Sequence, residues 1–537
     1  LLVMAACGSV KRTAAPAVLA VSADPVIAND PRMIIGKLPN GLTYYVMRND
    51  KPEGRASFHI VHSVGAVQEK DTQVGLAHFL EHMAFNGTKN FPDKRLIEYL
   101  EENGVAFGSN INAYTSMDVT SYMLKDVPVR REGIVDSALL ILHDWSHFIT
   151  LDPQEVDKER GVIQDELRRG DNAERRIFEA AQPIIYNNSI YGKRNVIGTM
   201  EVLKNFKQEE IVDFYHRWYR PDLQAVIVIG DIDPQQIIRK LETLFADIPA
   251  PEHPQPKEQV TIEDYPEDKA KLLTDKEQTN TFAQVVIPVA EIDTSRNGRT
   301  STDLQNITET LLCSVLNERL SAIAQSAEAP FASAYAFDTN LTPFKKVFFG
   351  AIGTPDEKLT EGLERFGTEI ARFRQYGATA AELQRAKENL LKSSAQAYEN
   401  RGDRRNSQFV EMAQEHFLEN IPVFEIESDY NRTRSFLDTV SQVWLNSRIA
   451  ALIPDKPFAV IGATTPDNFA NFSDEALLTA FRKGVNAAVE PPTEEKAFGG
   501  LTDGSEPQAV SPVSTAQDSL GATVWRFANG ATVVFRS

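Results

Sequence analysis

Gly75-Leu76-Ala77-His78-Phe79-Leu80-Glu81-His82-Met83-Ala84-Phe85-Asn86-Gly87-Thr88 decides the reading of this chain. At about 100° per residue, His78, Glu81 and His82 fall within one arc of a helix, with Leu76, Phe79, Leu80 and Met83 on the opposite arc. Two imidazoles and a carboxylate thus share one face while the apolar arc anchors the helix in a core. Imidazoles at i and i+4 can grip one metal ion, and a carboxylate one turn away can act on water held there. With 9 histidines in 537 residues, chance supplies H-x-x-E-H only about 0.01 times in a chain of this composition. Coincidence is therefore a poor account of it. His143 and His147 repeat the i, i+4 spacing but carry no carboxylate at the matching offset. Hemmed in by Leu142, Trp145 and Phe148, they read as packing or partner-contact histidines.

A chain of 537 residues is too long for one core, and three or four domains is about what its length implies. Its 42% hydrophobic and 24% charged residues are those of a globular protein. A net charge of −19 with no basic stripe excludes nucleic acid as a partner. That charge reads as solubility; an acidic cavity for cationic peptides finds no local acidic run behind it. The 2 cysteines supply neither a disulfide framework nor a thiolate zinc site. Cys313, in the apolar run Leu311-Leu312-Cys313-Ser314-Val315-Leu316, reads as a core residue. The opening, Leu1 to Ser9, resembles the trimmed tail of a bacterial lipoprotein signal, with Cys7 as the lipidated residue and an ordinary export signal as the alternative. The expected location is the periplasmic side of a bacterial cell envelope, lipid-anchored at Cys7. No later segment approaches a membrane-spanning length.

Residues 1–30 read as signal remnant and tether. A first domain, 31–248, opens with a hairpin around Pro39-Asn40-Gly41 and continues with a strand over Ser57–Val64 and the motif helix. Paired strands follow at Asn112–Ser116 and Ser121–Lys125, then helices near 128–148 and 153–169. Strand Ala225–Ile229 and a helix over 234–244 close it. A Pro- and charge-rich linker occupies 249–259. A second domain, 260–485, has strands at Thr281–Val289, Lys346–Ile352 and Phe458–Ala463 and helices near 303–325, 357–375, 379–399 and 474–482. Val226–Ile237 and Ala459–Phe469 close the two domains with the same strand–turn–helix order, which points to duplication of one unit. Residues 486–521 read as a polar linker. The hairpin stretch 38–49 is echoed at 526–537 around Asn529-Gly530, so 522–537 reads as the start of a third copy and the chain as the front half of a longer protein.

An open catalytic zinc site needs a third protein ligand, expected to be a carboxylate on another helix. Glu159 and Glu166, seven residues apart in Gln154–Arg169, lie on nearly one face beside Val156 and Ile163. Carboxylates bordering a buried stripe are costly unless a cation meets them; the bland alternative is two solvated side chains near Arg160 and Arg168.

These segments (Gly75–Pro92, Asn112-Ala113-Tyr114-Thr115-Ser116 and Glu159–Leu167) resemble the zinc peptidases that include pitrilysin, insulin-degrading enzyme and the mitochondrial processing peptidase. The resemblance spans the whole first domain. It implies an α+β chain of two homologous domains, each a mostly antiparallel sheet packed against helices, forming half of a clam-shell peptidase. Carried over by position, it implies one Zn²⁺ per chain held by His78, His82 and Glu166. Glu81 becomes the general base toward metal-activated water, Glu159 a supporting carboxylate, and Asn112 and Ala113 the edge strand that pairs with substrate. The gap from His82 to Glu166 is a few residues longer than the family's usual spacing, with the extra residues placed in the loop Gly104–Asn112.

The expected activity is zinc-dependent hydrolysis of unfolded peptides. The expected partners are peptide substrates and either the C-terminal half of the same protein or a second copy to close the chamber. A non-catalytic peptide-binding or scaffold subunit of the same fold is the alternative, and a small-molecule amidase is a further rival. The second domain carries no H-x-x-E-H and is expected to shape the chamber.

Overall fold

A computed structural model describes residues 24–492 and 510–536. Cys7 and the rest of the signal stretch lie outside the described residues. Residues up to 491 and residues from 492 onward form two separate compact units.

The first unit holds two sheets. One contains β1 (Ile34–Lys37), β2 (Thr43–Arg48), β3 (Arg55–His62), β4 (Ile111–Thr115), β5 (Thr120–Pro128) and β6 (Gln224–Gly230), in the order β1-β2-β6-β3-β5-β4. The other contains β7 (Lys269–Thr274), β8 (Thr281–Glu291), β9 (Ser333–Thr342), β10 (Lys345–Thr354) and β11 (Ala459–Thr464), in the order β7-β11-β8-β10-β9. Strand directions match position for position. β2 runs parallel to β6 as β7 does to β11, and every other pairing is antiparallel. The fold is therefore α+β with two sheet-containing domains of one topology. Where the first domain inserts the motif helix between β3 and β4, the second inserts Thr300–Ala324, which has no histidine.

β6 and β11 are buried along their whole lengths and apolar except for Gln224 and Thr464, because each sheet is covered on both faces. The inner face of the first sheet meets its own helices in the main core, where Phe58, Phe79, Leu80 and Trp145 are fully buried. Its outer face is covered by helix Asn406–Glu419 from the second domain, with Phe409, Val410 and Ala413 against Tyr45, Met47, Ile227 and Ile229. Reciprocally, helix Ala173–Ile185 of the first domain lays Ala181 and Ile185 on Val286, Ala459 and Ile461. Each buried side chain of this size contributes about 1.5–3 kcal/mol, so the exchanged helices join the two domains.

Several boundaries differ from the sequence reading. The helix expected near 128–148 begins at Ile134: β5 continues to Pro128, and Gly133 turns the chain at φ +76°. Part of the expected tether is bound, since the Ile27 N–H donates to the Gly298 carbonyl at 2.8 Å and the Asp30 N–H to that of Val423 at 2.6 Å. Residues 173–218 and 406–439, given no elements from sequence, supply helices including both exchanged ones. In the C-terminal unit, β12 (Ser514–Gln517), β13 (Thr523–Arg526) and β14 (Thr532–Phe535) form an antiparallel three-stranded sheet. β12 lies inside the stretch read as linker, and Gly530 makes the β13–β14 turn at φ +85°. Among the described residues no helix is long and apolar enough to cross a membrane.

Candidate metal centre

The motif helix runs Leu76–Met83. Its N-cap, Gly75, sits at φ +97°, and a Cβ there would lie 2.5 Å from the Gly198 Cα, so only glycine fits. Glu69 satisfies the exposed N–H groups of this first turn, its carboxylate accepting from Gly75 at 3.1 Å and Ala77 at 2.8 Å. Burial pushes the Glu69 carboxyl up to about 8, although these backbone donors pull the other way. Leu76, Phe79, Leu80 and Met83 are all fully buried, leaving the opposite arc for His78, Glu81 and His82.

The second helix, Pro153–Arg169, is bounded by its sequence. Asp152 caps it by accepting from Gln154 and Glu155, Pro153 takes the first position, and Arg168, Arg169 and Gly170 end it. Val156 and Ile163 are buried, and the same register aims Glu159 and Glu166 at the motif helix. His78 Nε2 lies 3.7 Å from Glu166 Oε1, and His82 Nε2 lies 3.4 Å from Glu166 Oε2. The ligand atoms of His78, His82 and Glu166 all fall within 4.8 Å of one another. A tetrahedral zinc ion with bonds of about 2.0–2.1 Å separates its donors by roughly 3.3 Å. The three groups therefore fit that ion. Glu159 stands apart from this trio: its Oε1 is 2.8 Å from His82 Nδ1, and its Oε2 accepts from Asn86 Nδ2 at 2.6 Å.

The electrostatics follow from this crowding. Burial works against a charge on His82, yet the Glu159 hydrogen bond and the Glu166 carboxylate outweigh it and raise the imidazole to about 9. Burial and the neighbouring His82 lower His78 to about 4. His82 holds Glu166 below the usual carboxylate range. Burial raises Glu159, but His82 and Asn86 reverse that and hold it low. Glu81, 8% exposed, is pushed up by burial, although Thr115 Oγ1 donates to its Oε2 at 2.5 Å.

These groups line a cleft of about 880 Å³. Its far wall is β4, the edge strand of the first sheet, which brings Asn112 and Ala113 to the cleft. Asn112 is exposed, and its Oδ1 accepts from the Ala113 N–H at 2.9 Å. The control pair behaves differently: His143 is buried and lies 2.8 Å from Asp247, and His147 joins no cluster of ligand-capable groups among the described residues. Sequence reasoning missed Thr115, Asn86 and Glu69. Asn86 and Thr115 sit inside quoted motif segments, but what they bond is 73 and 34 residues away.

Residues 44–194 match the family described as Insulinase (Peptidase family M16), and residues 205–390 match its companion, the Peptidase M16 inactive domain. The chain belongs to the insulinase (M16) peptidase family. Among M16 relatives, the "Probable zinc protease PqqL" of Haemophilus influenzae is 32% identical over 357 residues, 66% of this chain and 38% of that protein. The protein of the same name from Escherichia coli is 28% identical over 532 residues, 95% of this chain and 54% of that one. The chain thus spans about half the length, or less, of these relatives. The crystal structure of the first half of the periplasmic protease PqqL from E. coli matches with a TM-score of 0.79 at 25% identity, covering 87% of this chain and 100% of that one. The structure of the longer E. coli PqqL chain gives 0.80 at 25% identity, covering 96% of this chain and 56% of that one. The M16 architecture of two sheet-containing domains is the one described above.

Proposed function

We propose that this chain is a zinc-dependent endopeptidase acting on unfolded peptides, with His78, His82 and Glu166 as the metal ligands. One observation carries the reading: two imidazole Nε2 atoms from one helix and a carboxylate from another converge, with ligand atoms within 4.8 Å of one another. Zinc held there supplies Lewis acidity toward a peptide carbonyl and toward water. Glu159 fixes the His82 ring so that Nε2 faces the ion. Glu81, buried and oriented by Thr115, accepts the proton of the attacking water and delivers it to the leaving amine. Asn112 and Ala113 lie on the β4 edge, where an extended peptide adds as a further strand. An unfolded chain offers a free extended strand far more readily than a folded protein does, which makes unfolded peptides the substrate class.

The reading extends to organisation. The domain limits are 31–248 and 260–485, with 249–259 joining them, and the unit that holds β12, β13 and β14 opens a third copy. The second domain shapes the chamber and carries no chemistry. A complementary half, from the same protein or a second copy, closes the clam-shell, in line with a match that spans the first half of E. coli PqqL. The protein acts on the periplasmic side of a bacterial envelope, where E. coli PqqL is described, with Cys7 as the anchor.

The test is zinc stoichiometry paired with peptide cleavage. Glu166→Gln is expected to lose the metal; Glu81→Gln is expected to keep it and lose hydrolysis. Retained cleavage by Glu81→Gln overturns the assignment of the base, and zinc-free wild-type protein with full activity overturns the whole reading.

A further inference from the structure

A second cavity, of about 540 Å³, lies on the other face of the first sheet, beneath helix Asn406–Glu419. We propose that it is a subsite for a lysine or arginine side chain of a peptide bound along β4. The inference rests on the peptidase reading above and names part of the substrate that reading leaves open.

The first argument is the pleat. Ile111 and Ala113 pack into the main core and Thr115 bonds Glu81, so these three face the motif helix. Tyr114 alternates to the opposite face, where Gln414 donates to its hydroxyl, and it rims both cavities. A peptide added to β4 has the same two-residue alternation. Its side chains therefore enter the metal cleft and the second cavity in turn.

The second argument is charge. Glu411, Glu415 and Glu419, spaced one helical turn apart, line the cavity together with Asp126. Lys125 and Arg405 line it too, yet among the described residues neither forms an ion pair with any of the three glutamates. Burial and the like charges of Glu411 and Glu419 push the Glu415 carboxyl up, and burial does the same to Glu419. Glu411 and Glu415 are exposed and Glu419 is half-buried; like charges one helical turn apart repel, and a cationic ligand relieves them.

The third argument is independent of the acids. His59, on β3, is 6% exposed, lines the cavity and has no hydrogen-bond partner among the described residues. Buried polar side chains are normally bonded. Burial and Lys125 keep this imidazole neutral, at about 3, so a ring nitrogen is free to accept an N–H from an ammonium or guanidinium. Met123, Val410 and Leu418 supply apolar wall for the methylene stem of such a side chain.

The experiment measures binding of short unstructured labelled peptides, identical except for lysine or norleucine at one scanned position, to zinc-loaded protein carrying Glu81→Gln. Lysine is expected to bind about tenfold more tightly than norleucine at positions two residues apart, and not at those between them. Adding Glu411→Gln and Glu415→Gln is expected to abolish that preference, lysine peptides then binding no more tightly than norleucine peptides. Glu415→Gln alone is expected to shift it in the same direction, which keeps the test intact should the double change perturb folding. Absence of a lysine preference, or its survival in these variants, overturns the subsite. Binding needs no turnover. Failure of the peptidase reading therefore shows separately, as wild-type protein that cleaves neither peptide.

Discussion

Glu159 Oε1 lies 2.8 Å from His82 Nδ1, and its second oxygen is tied to Asn86. The imidazole is thereby held with Nε2 toward Glu166 and His78, which makes Glu159 the residue that orients His82 without itself joining the converging trio. Glu159→Gln is expected to weaken zinc affinity by about 10- to 100-fold without unfolding the chain. Competition with a chelating dye measures it, and unchanged affinity contradicts the orienting role.

Thr115 links the β4 edge to Glu81. Thr115→Val removes the donor to Glu81 Oε2 while keeping the shape of the strand. We expect kcat to fall about tenfold with KM nearly constant and zinc content intact, and Thr115→Ser to restore much of the rate. A loss confined to KM would indicate that the hydroxyl serves peptide binding instead.

His143 gives the stability a pH signature. Burial works against its charge, but hydrogen bonds to Asp144 and Asp247 prevail and raise the imidazole above its ordinary value. A group raised in the folded state stabilises fully below its unfolded value, about 6.5, and loses that contribution as pH rises through the folded value. Asp247 is half exposed, so solvent discounts the pair to about 1 kcal/mol. Urea unfolding of His143→Gln beside wild type should show the larger deficit near pH 6 and a smaller one near pH 9. Equal deficits at both values reject the charged pair.

Phe409, 1% exposed, carries the helix of the second domain onto the first sheet. Phe409→Ala is expected to cost about 3–5 kcal/mol and to loosen the two domains together, read by calorimetry as a lowered main transition. A stability change below about 1 kcal/mol would mean that the exchanged helix contributes little.

Removal of the metal provides the remaining check. A strong chelator is expected to abolish peptide cleavage and added zinc to restore it. Cleavage that persists in zinc-free protein sinks the metal centre.

The motif helix and the carboxylate helix were legible in the sequence because each carries its own period. Leu76, Phe79, Leu80 and Met83 mark one buried face, and Val156 and Ile163 mark the other, so the facing side chains follow from 3.6 residues per turn. The repeated topology was legible only in its closing strands, β6 and β11, whose unbroken apolar runs need cover on both faces. What covers them was not legible. Helices Ala173–Ile185 and Asn406–Glu419 carry no local mark saying that each belongs against the other domain's sheet.

Residue type and spacing alone pointed to the face of His78, Glu81 and His82, to Glu159 and Glu166 as a pair of candidate carboxylates, and to the α+β class, since these depend on contacts within one helix or between neighbouring elements. Only the tertiary structure decided that Glu166 faces both imidazoles while Glu159 backs His82, that Thr115 reaches Glu81, and that acids of residues 411–419 line a cavity with Tyr114 of β4. The physical reason is distance along the chain. Each of those relationships joins segments that no periodicity connects, and they meet only once two sheets and the helices they exchange have buried their apolar faces together.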